Sequence, residues 1–255
     1  MRLCFRKLVW LLFIALSVSQ SLQAQTLSIA AAANLRTAMD VLKPAFEASH
    51  PGVSLQVSLG ASGSFVAQIQ QGAPFDLFLA ADAEFPAKLA AAGLVTGESF
   101  PYATGRLVLW VRRDLGLDPG KDGLNVLLHP GVKRIAIANP ALAPFGRSAE
   151  TALKGVGIHG TVQSKLVFGE NIAQAAQYLQ TGATDAGFIS SPQVLAPALA
   201  SGLAWTVPQR LYPVQKQCGV LLRRSAQPAL AAAFKAYLLG PQAQAILARL
   251  GYGAP

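Results

Sequence analysis

Four short segments of this chain join a strand-like run to residues that would open a helix: Ala33-Asn34, Ala61-Ser62-Gly63, Pro144-Phe145-Gly146 and Asn171-Ile172. The first backbone N–H groups of a helix have no intrahelical acceptor, and the helix dipole places partial positive charge beside them. Taken singly, each segment reads as a simple cap. Brought together, they would hold an anion with hydrogen-bond donors and no countercharge. Ser62 also invites a second reading, because Gly60-Ala61-Ser62-Gly63-Ser64 is similar to the strand-turn-helix elbow that presents a nucleophilic serine. That elbow requires glycine where Ser64 stands, and only His159 follows in a loop setting suited to a base. A secreted serine hydrolase is therefore the remote alternative.

Metal chemistry has little support. His50, His129 and His159 sit in turn-like contexts, and no His-Glu-x-x-His, paired-cysteine or calcium-loop spacing occurs. Tyr102, Tyr178, Tyr212, Tyr237 and Tyr252 are scattered, whereas a ferric site would want them clustered with His or carboxylates. No bare metal ion and no cofactor is expected. Cys218 lies in the apolar run Cys218-Gly219-Val220-Leu221-Leu222 and reads as a buried structural thiol.

These residues need a scaffold, and the composition supplies one. Of 255 residues, 52% are hydrophobic and 13% charged, which excludes a disordered chain. Arg2, Arg6 and Lys7 precede an apolar run from Leu8 to Val18, and a polar stretch reaches Ala24. This is the pattern of a secretory signal peptide over residues 1–24, with an uncleaved interfacial anchor as the alternative. Its apolar core is far shorter than the roughly 20 residues of a membrane span. Cleavage would remove Cys4 and leave Cys218 without an intramolecular partner, which suits export to a periplasm. It would also lower the formal charge from +9 to +6. The basic residues are dispersed and no aromatics interleave with them, so nucleic acid is excluded as a partner.

Beyond the leader, strand and helix patterns alternate. Strands are expected at Leu27 to Ala32, Val53 to Leu59, Asp76 to Ala80, Leu107 to Val111, Arg134 to Ala138, Lys165 to Phe168, Ala186 to Ile189 and Val214 to Leu222. Helices are expected from Asn34, as N-cap, through Phe46, then over Phe65 to Ile69, Ala83 to Ala92, Gly146 to Lys154, Ile172 to Leu179, Gln227 to Leu238 and Pro241 to Leu250. Alternation fits an α/β fold, either as two lobes or as one doubly wound sheet.

Several of these segments resemble the periplasmic molybdate-binding proteins of ABC importers. Ala30-Ala31-Ala32-Ala33-Asn34-Leu35 is similar to that family's opening motif, and Leu59-Gly60-Ala61-Ser62-Gly63-Ser64 to its serine-rich second loop. The most specific match is Gly72-Ala73-Pro74-Phe75-Asp76-Leu77-Phe78-Leu79-Ala80-Ala81-Asp82. Asn139-Pro140 with Pro144-Phe145-Gly146, and Gly240-Pro241-Gln242-Ala243, extend the similarity across nearly all of the exported chain. The resemblance implies the two-lobed periplasmic-binding-protein fold (type II). Residues 25–104 and 210–255 would form lobe 1, 105–209 would form lobe 2, and the ligand would be clamped between them.

The same resemblance implies molybdate or tungstate as ligand, a membrane permease as partner, a monomer, and hydrogen bonds from Asn34, Ser62, Phe145 and Ile172. Asp76 and Asp82 would shape turns, since carboxylates repel an anion. Where many members carry a tyrosine ligand, this chain has Ser190, whose part is open between a hydroxyl bond, a water-mediated bond and no contact. Six charge-assisted hydrogen bonds at roughly 1.5–3 kcal/mol each exceed an association cost of about 4 kcal/mol or more and permit micromolar to nanomolar affinity. A site made of donors favours a fully deprotonated dianion over hydrogen phosphate, whose proton would find no acceptor. Another anion such as sulfate or thiosulfate is the alternative ligand, and excluding sulfate would depend on the size of the cleft.

Overall fold

A computed structural model describes residues 25–255; the expected signal peptide, with Cys4, lies outside the described residues. β1 (Gln25–Ala32) runs through a 3-10 turn (Ala33–Leu35) into α1 (Arg36–Ser49). β2 (Val53–Gly60) leads to α2 (Ser62–Gln70), and β3 (Leu77–Leu79) to α3 (Glu84–Ala91). β4 (Val95–Gly105) and β5 (Leu107–Arg112) follow, then β6 (Ile135–Ala138) with α4 (Pro144–Gly155), and β7 (Leu166–Gly169) with α5 (Ile172–Gln180). β8 (Ala186–Ser190), β9 (Gly202–Thr206), β10 (Gln215–Leu222), α6 (Pro228–Leu239) and α7 (Pro241–Arg249) complete the chain.

The strands form two sheets, with orders β2-β1-β3-β10-β4 and β7-β6-β8-β5-β9. Of the two arrangements that alternation allows, the chain adopts the one with separate sheets. β1 is parallel to β2 and β3, and β6 is parallel to β7 and β8. One antiparallel strand, β10 or β5, sits fourth in each sheet. The two halves thus share one topology. β10 belongs to the first sheet although it follows every strand of the second, so the chain crosses between halves after β4 and again before β10.

Helices cover both faces of each sheet, which is why these strands read as continuous apolar runs. In the first sheet Leu27, Ile29, Leu77 and Leu79 pack toward α1, α6 and α7, while Ala30, Phe78, Val220 and Leu222 pack toward α2 and α3. In the second, Leu107, Leu109 and Val111 face the core under α4, and Val108 and Trp110 face the core under α5. The period of two along a strand divides its residues between these cores.

Two strands escape the sequence pattern. β4 carries Gly97, Pro101 and Gly105 and pairs with β10 through register shifts, so its apolar residues do not alternate cleanly. β9 is an edge strand with none of its five residues fully buried. The expected N-cap at Asn34 is also corrected. The first turn begins at Ala33 with Ala32 as its cap, and the Asn34 side chain caps no helix.

Candidate functional site

The carboxyl ends of β1, β2, β6 and β7 deliver their chains to the same place between the two halves. Asn34, Ser62, Phe145 and Ile172 line one pocket there, and each is at most 3% exposed. No lining residue is ionisable. Its cavity volume is about 10 Å³, far below the roughly 300–1,000 Å³ of pockets that take drug-sized ligands. The site suits a small ion.

The first half supplies side chains. Ser62 opens α2 directly after β2, and its Oγ accepts the Ala81 N–H at 3.1 Å. With an acceptor lone pair occupied, the hydroxyl proton is available to a ligand. Asn34 is held at two points. Its Nδ2 donates to Gln217 Oε1 at 3.0 Å, and its carbonyl accepts the Tyr252 hydroxyl at 2.8 Å.

The second half supplies main chain. Phe145 follows Pro144 in the first turn of α4, where proline's missing N–H is no loss and the next N–H has no intrahelical acceptor. Gly146 allows this helix to sit against the end of β6, because a Cβ there would collide with the Ala138 carbonyl. Ile172 is the first residue of α5. The Asn171 side chain caps that helix, accepting from Ala173 N at 2.9 Å and Gln174 N at 3.1 Å, which leaves the Ile172 N–H to the pocket. Among the described residues, no turn, cap or strand hydrogen bond takes the N–H of Ser62, Phe145 or Ile172.

Ser190 is not brought to the pocket. It ends β8 fully buried, and both its N–H and its hydroxyl donate to Gln193 Oε1, at 2.8 and 3.0 Å. Its chemistry is consumed in starting the next 3-10 turn.

Asp76 is structural, as the repulsion of anions implies. It accepts from Ser28 N, from Ser225 Oγ and from Ala226 N, tying β1 to the start of α6. Asp82 caps Phe85 N and also pairs with Arg147 of the other half. Burial raises its pKa, and the Phe85 N–H and the Arg147 charge oppose that rise. Arg147 reaches Glu84 at 3.5 Å and lies over the Phe85 ring. Further bonds cross between the halves, among them Gly63 N–H to the Leu142 carbonyl at 2.9 Å, Gln215 Nε2 to Ser148 Oγ at 2.8 Å, and Ser191 Oγ to the Gly251 carbonyl at 2.8 Å. Sequence reasoning missed Arg147, Gln215, Gln217, Tyr102 and Tyr252. Only tertiary structure places them beside the site, and no local motif marks them.

The chain matches the family model for bacterial extracellular solute-binding proteins over residues 27–253. It is 39% identical over 233 residues to the molybdate-binding protein ModA of Azotobacter vinelandii, covering 91% of each chain. It is likewise 39% identical over 203 residues to ModA of Rhodobacter capsulatus, covering 79% of this chain and 78% of that one. Its fold is similar to the solved structure of the Azotobacter vinelandii periplasmic molybdate-binding protein, with a TM-score of 0.83 and 33% identity over 90% of this chain and 99% of that one.

Proposed function

The chain belongs to the bacterial extracellular solute-binding proteins, and we propose that it captures molybdate, with tungstate as an equivalent ligand, and delivers it to the membrane permease of an ABC importer. One observation carries this reading: donors from both halves, and no ionisable group, surround a single small pocket. Such a site rewards an ion that accepts at every oxygen and carries no proton. Asn34 and Ser62 bind through side chains; Phe145 and Ile172 bind through backbone N–H groups. The pocket lining holds no histidine that could serve a nucleophilic serine, which supports a binder over a serine hydrolase.

Residues 25–104 with 210–255, and 105–209, act as the two lobes. A ligand touching both stabilises the closed arrangement by its differential affinity for it, and that arrangement is what the permease recognises. The protein works as a monomer in the periplasm, exported by its N-terminal 24 residues. Among the described residues no helix is long and apolar enough to cross a membrane.

Thermal unfolding with molybdate, tungstate, sulfate and phosphate tests the reading, since a ligand of the folded state alone raises its stability. Molybdate and tungstate are expected to raise the Tm at micromolar concentrations, with sulfate and phosphate far weaker. An equal response to sulfate would transfer the assignment to sulfate, and no response to any oxyanion would overturn it.

A further inference from the structure

Asn34, Gln217 and Tyr102 form a buried polar cluster beside the pocket, at 1%, 0% and 0% exposure. The Tyr102 hydroxyl lies 2.8 Å from the Ala80 carbonyl and 3.1 Å from Gln217 Oε1, two acceptors for a single proton. Asn34 Oδ1 and Gln217 Nε2 have no partner among the described residues. A side-chain amide keeps its shape when turned by 180°, with donor and acceptor exchanged, so its hydrogen bonds decide which way it faces.

Turning both amides removes the conflict. Gln217 Nε2 then donates to Asn34 Oδ1 and to the Tyr102 oxygen, whose proton goes to Ala80. The end of the Asn34 amide not held by Gln217 then becomes NH₂ instead of a carbonyl oxygen. Asn34 lines the pocket, where a free carbonyl oxygen would repel an oxyanion and a free NH₂ would bind it.

We infer that Gln217 is a positioning residue for anion binding: anchored by Tyr102, it donates to Asn34 Oδ1 and so turns the Asn34 NH₂ toward the ligand. The inference rests on the proposed oxyanion reading and adds a residue 183 positions away that does not itself line the pocket.

Molybdate affinity by calorimetry in a double-mutant cycle tests it. Gln217→Met is expected to weaken binding about tenfold in the otherwise native protein and less than twofold in an Asn34→Ala background, because its effect passes through Asn34. A merely structural role would cost the same in both backgrounds, and that additivity would overturn the inference. Gln217→Glu supplies a second signature. As a carboxylate it can only accept, so it turns Asn34 the wrong way and binding falls at pH 8; protonated, it donates again, and affinity recovers toward pH 5.5. The native protein is expected to show no such recovery, and a flat profile in the variant would count against the mechanism. If Gln217→Met fails to fold, Tyr102→Phe replaces it in the cycle, with an expected threefold loss that vanishes beside Asn34→Ala; additivity there has the same overturning force. Native protein that binds no molybdate would instead defeat the function proposed above, so the two failures are distinguishable.

Discussion

The two halves share a strand order, with three parallel strands, an antiparallel strand fourth, and two strand-to-helix turns pointing at the cleft, yet they present different donors to the pocket. The first half presents Asn34 and Ser62 side chains, each braced by buried partners. The second presents the N–H groups of Phe145 and Ile172, whose side chains serve the hydrophobic core. A donor on a side chain can be deleted or retuned by one substitution. A donor on the backbone depends on where the helix begins, and most substitutions leave it intact.

The sharpest way to break this contrast lies in the second half. Ile172→Pro removes a backbone N–H at the first helical position, where proline is otherwise welcome, and Asn171 already has the extended conformation that precedes a proline. Molybdate affinity is expected to fall at least ~100-fold, from the lost charge-assisted bond together with the ring's bulk, while helix content by circular dichroism is retained. Ile172→Val should stay within about twofold, since only the side chain changes. Equal losses in the two variants would mean that the side chain binds the ligand.

In the first half, Ser62→Ala is expected to weaken binding by about tenfold or more, read by calorimetry. It also strands the buried Ala81 N–H, so thermal unfolding should show a loss of about 1–3 kcal/mol. Binding that survives with stability reduced would reassign Ser62 to scaffolding.

The smallest effect concerns pH. Burial, first of all, raises the pKa of Tyr102 and of Tyr252 above that of a free tyrosine. A raised folded-state pKa gives stability that is complete below about pH 10, where the unfolded tyrosine is still neutral, and is lost as pH rises further. Tyr252→Phe should cost about 1 kcal/mol at neutral pH through the lost bond to the Asn34 carbonyl, and should flatten the alkaline decline in denaturant unfolding measured between pH 9 and 11.5. An unchanged alkaline slope would remove Tyr252 from that account.

Much of the fold was legible because buried parallel strands write themselves as apolar runs: Leu27 to Ala32 and Arg134 to Ala138 were found within two residues of their true ends. β4 was not, because its glycines and Pro101 read as a loop and only pairing with β10 makes it a strand. The turns that bring Asn34, Ser62, Phe145 and Ile172 to one pocket were legible for the same local reason, since the strand-to-helix turn is itself a sequence signal. The part of Ser190 stayed open in the sequence because its position says nothing of where its hydroxyl points, which Gln193 decides. Gln217 and Arg147 were illegible because their partners come from distant segments, joined only when the sheets assemble.

The bond from Gly63 N–H to the Leu142 carbonyl spans the two halves beside the pocket. Both its atoms are main chain, and glycine is what lets them meet, since a Cβ at position 63 would press on the Leu142 backbone at 3.1 Å and on the Phe85 ring at 3.0 Å. Any parting of the halves must break it, so a change at position 63 bears on opening as well as on packing. Arg147, with Asp82 and Glu84, is then the adjustable clasp, and descendants of this chain could hasten or delay opening there without altering a single residue that lines the pocket.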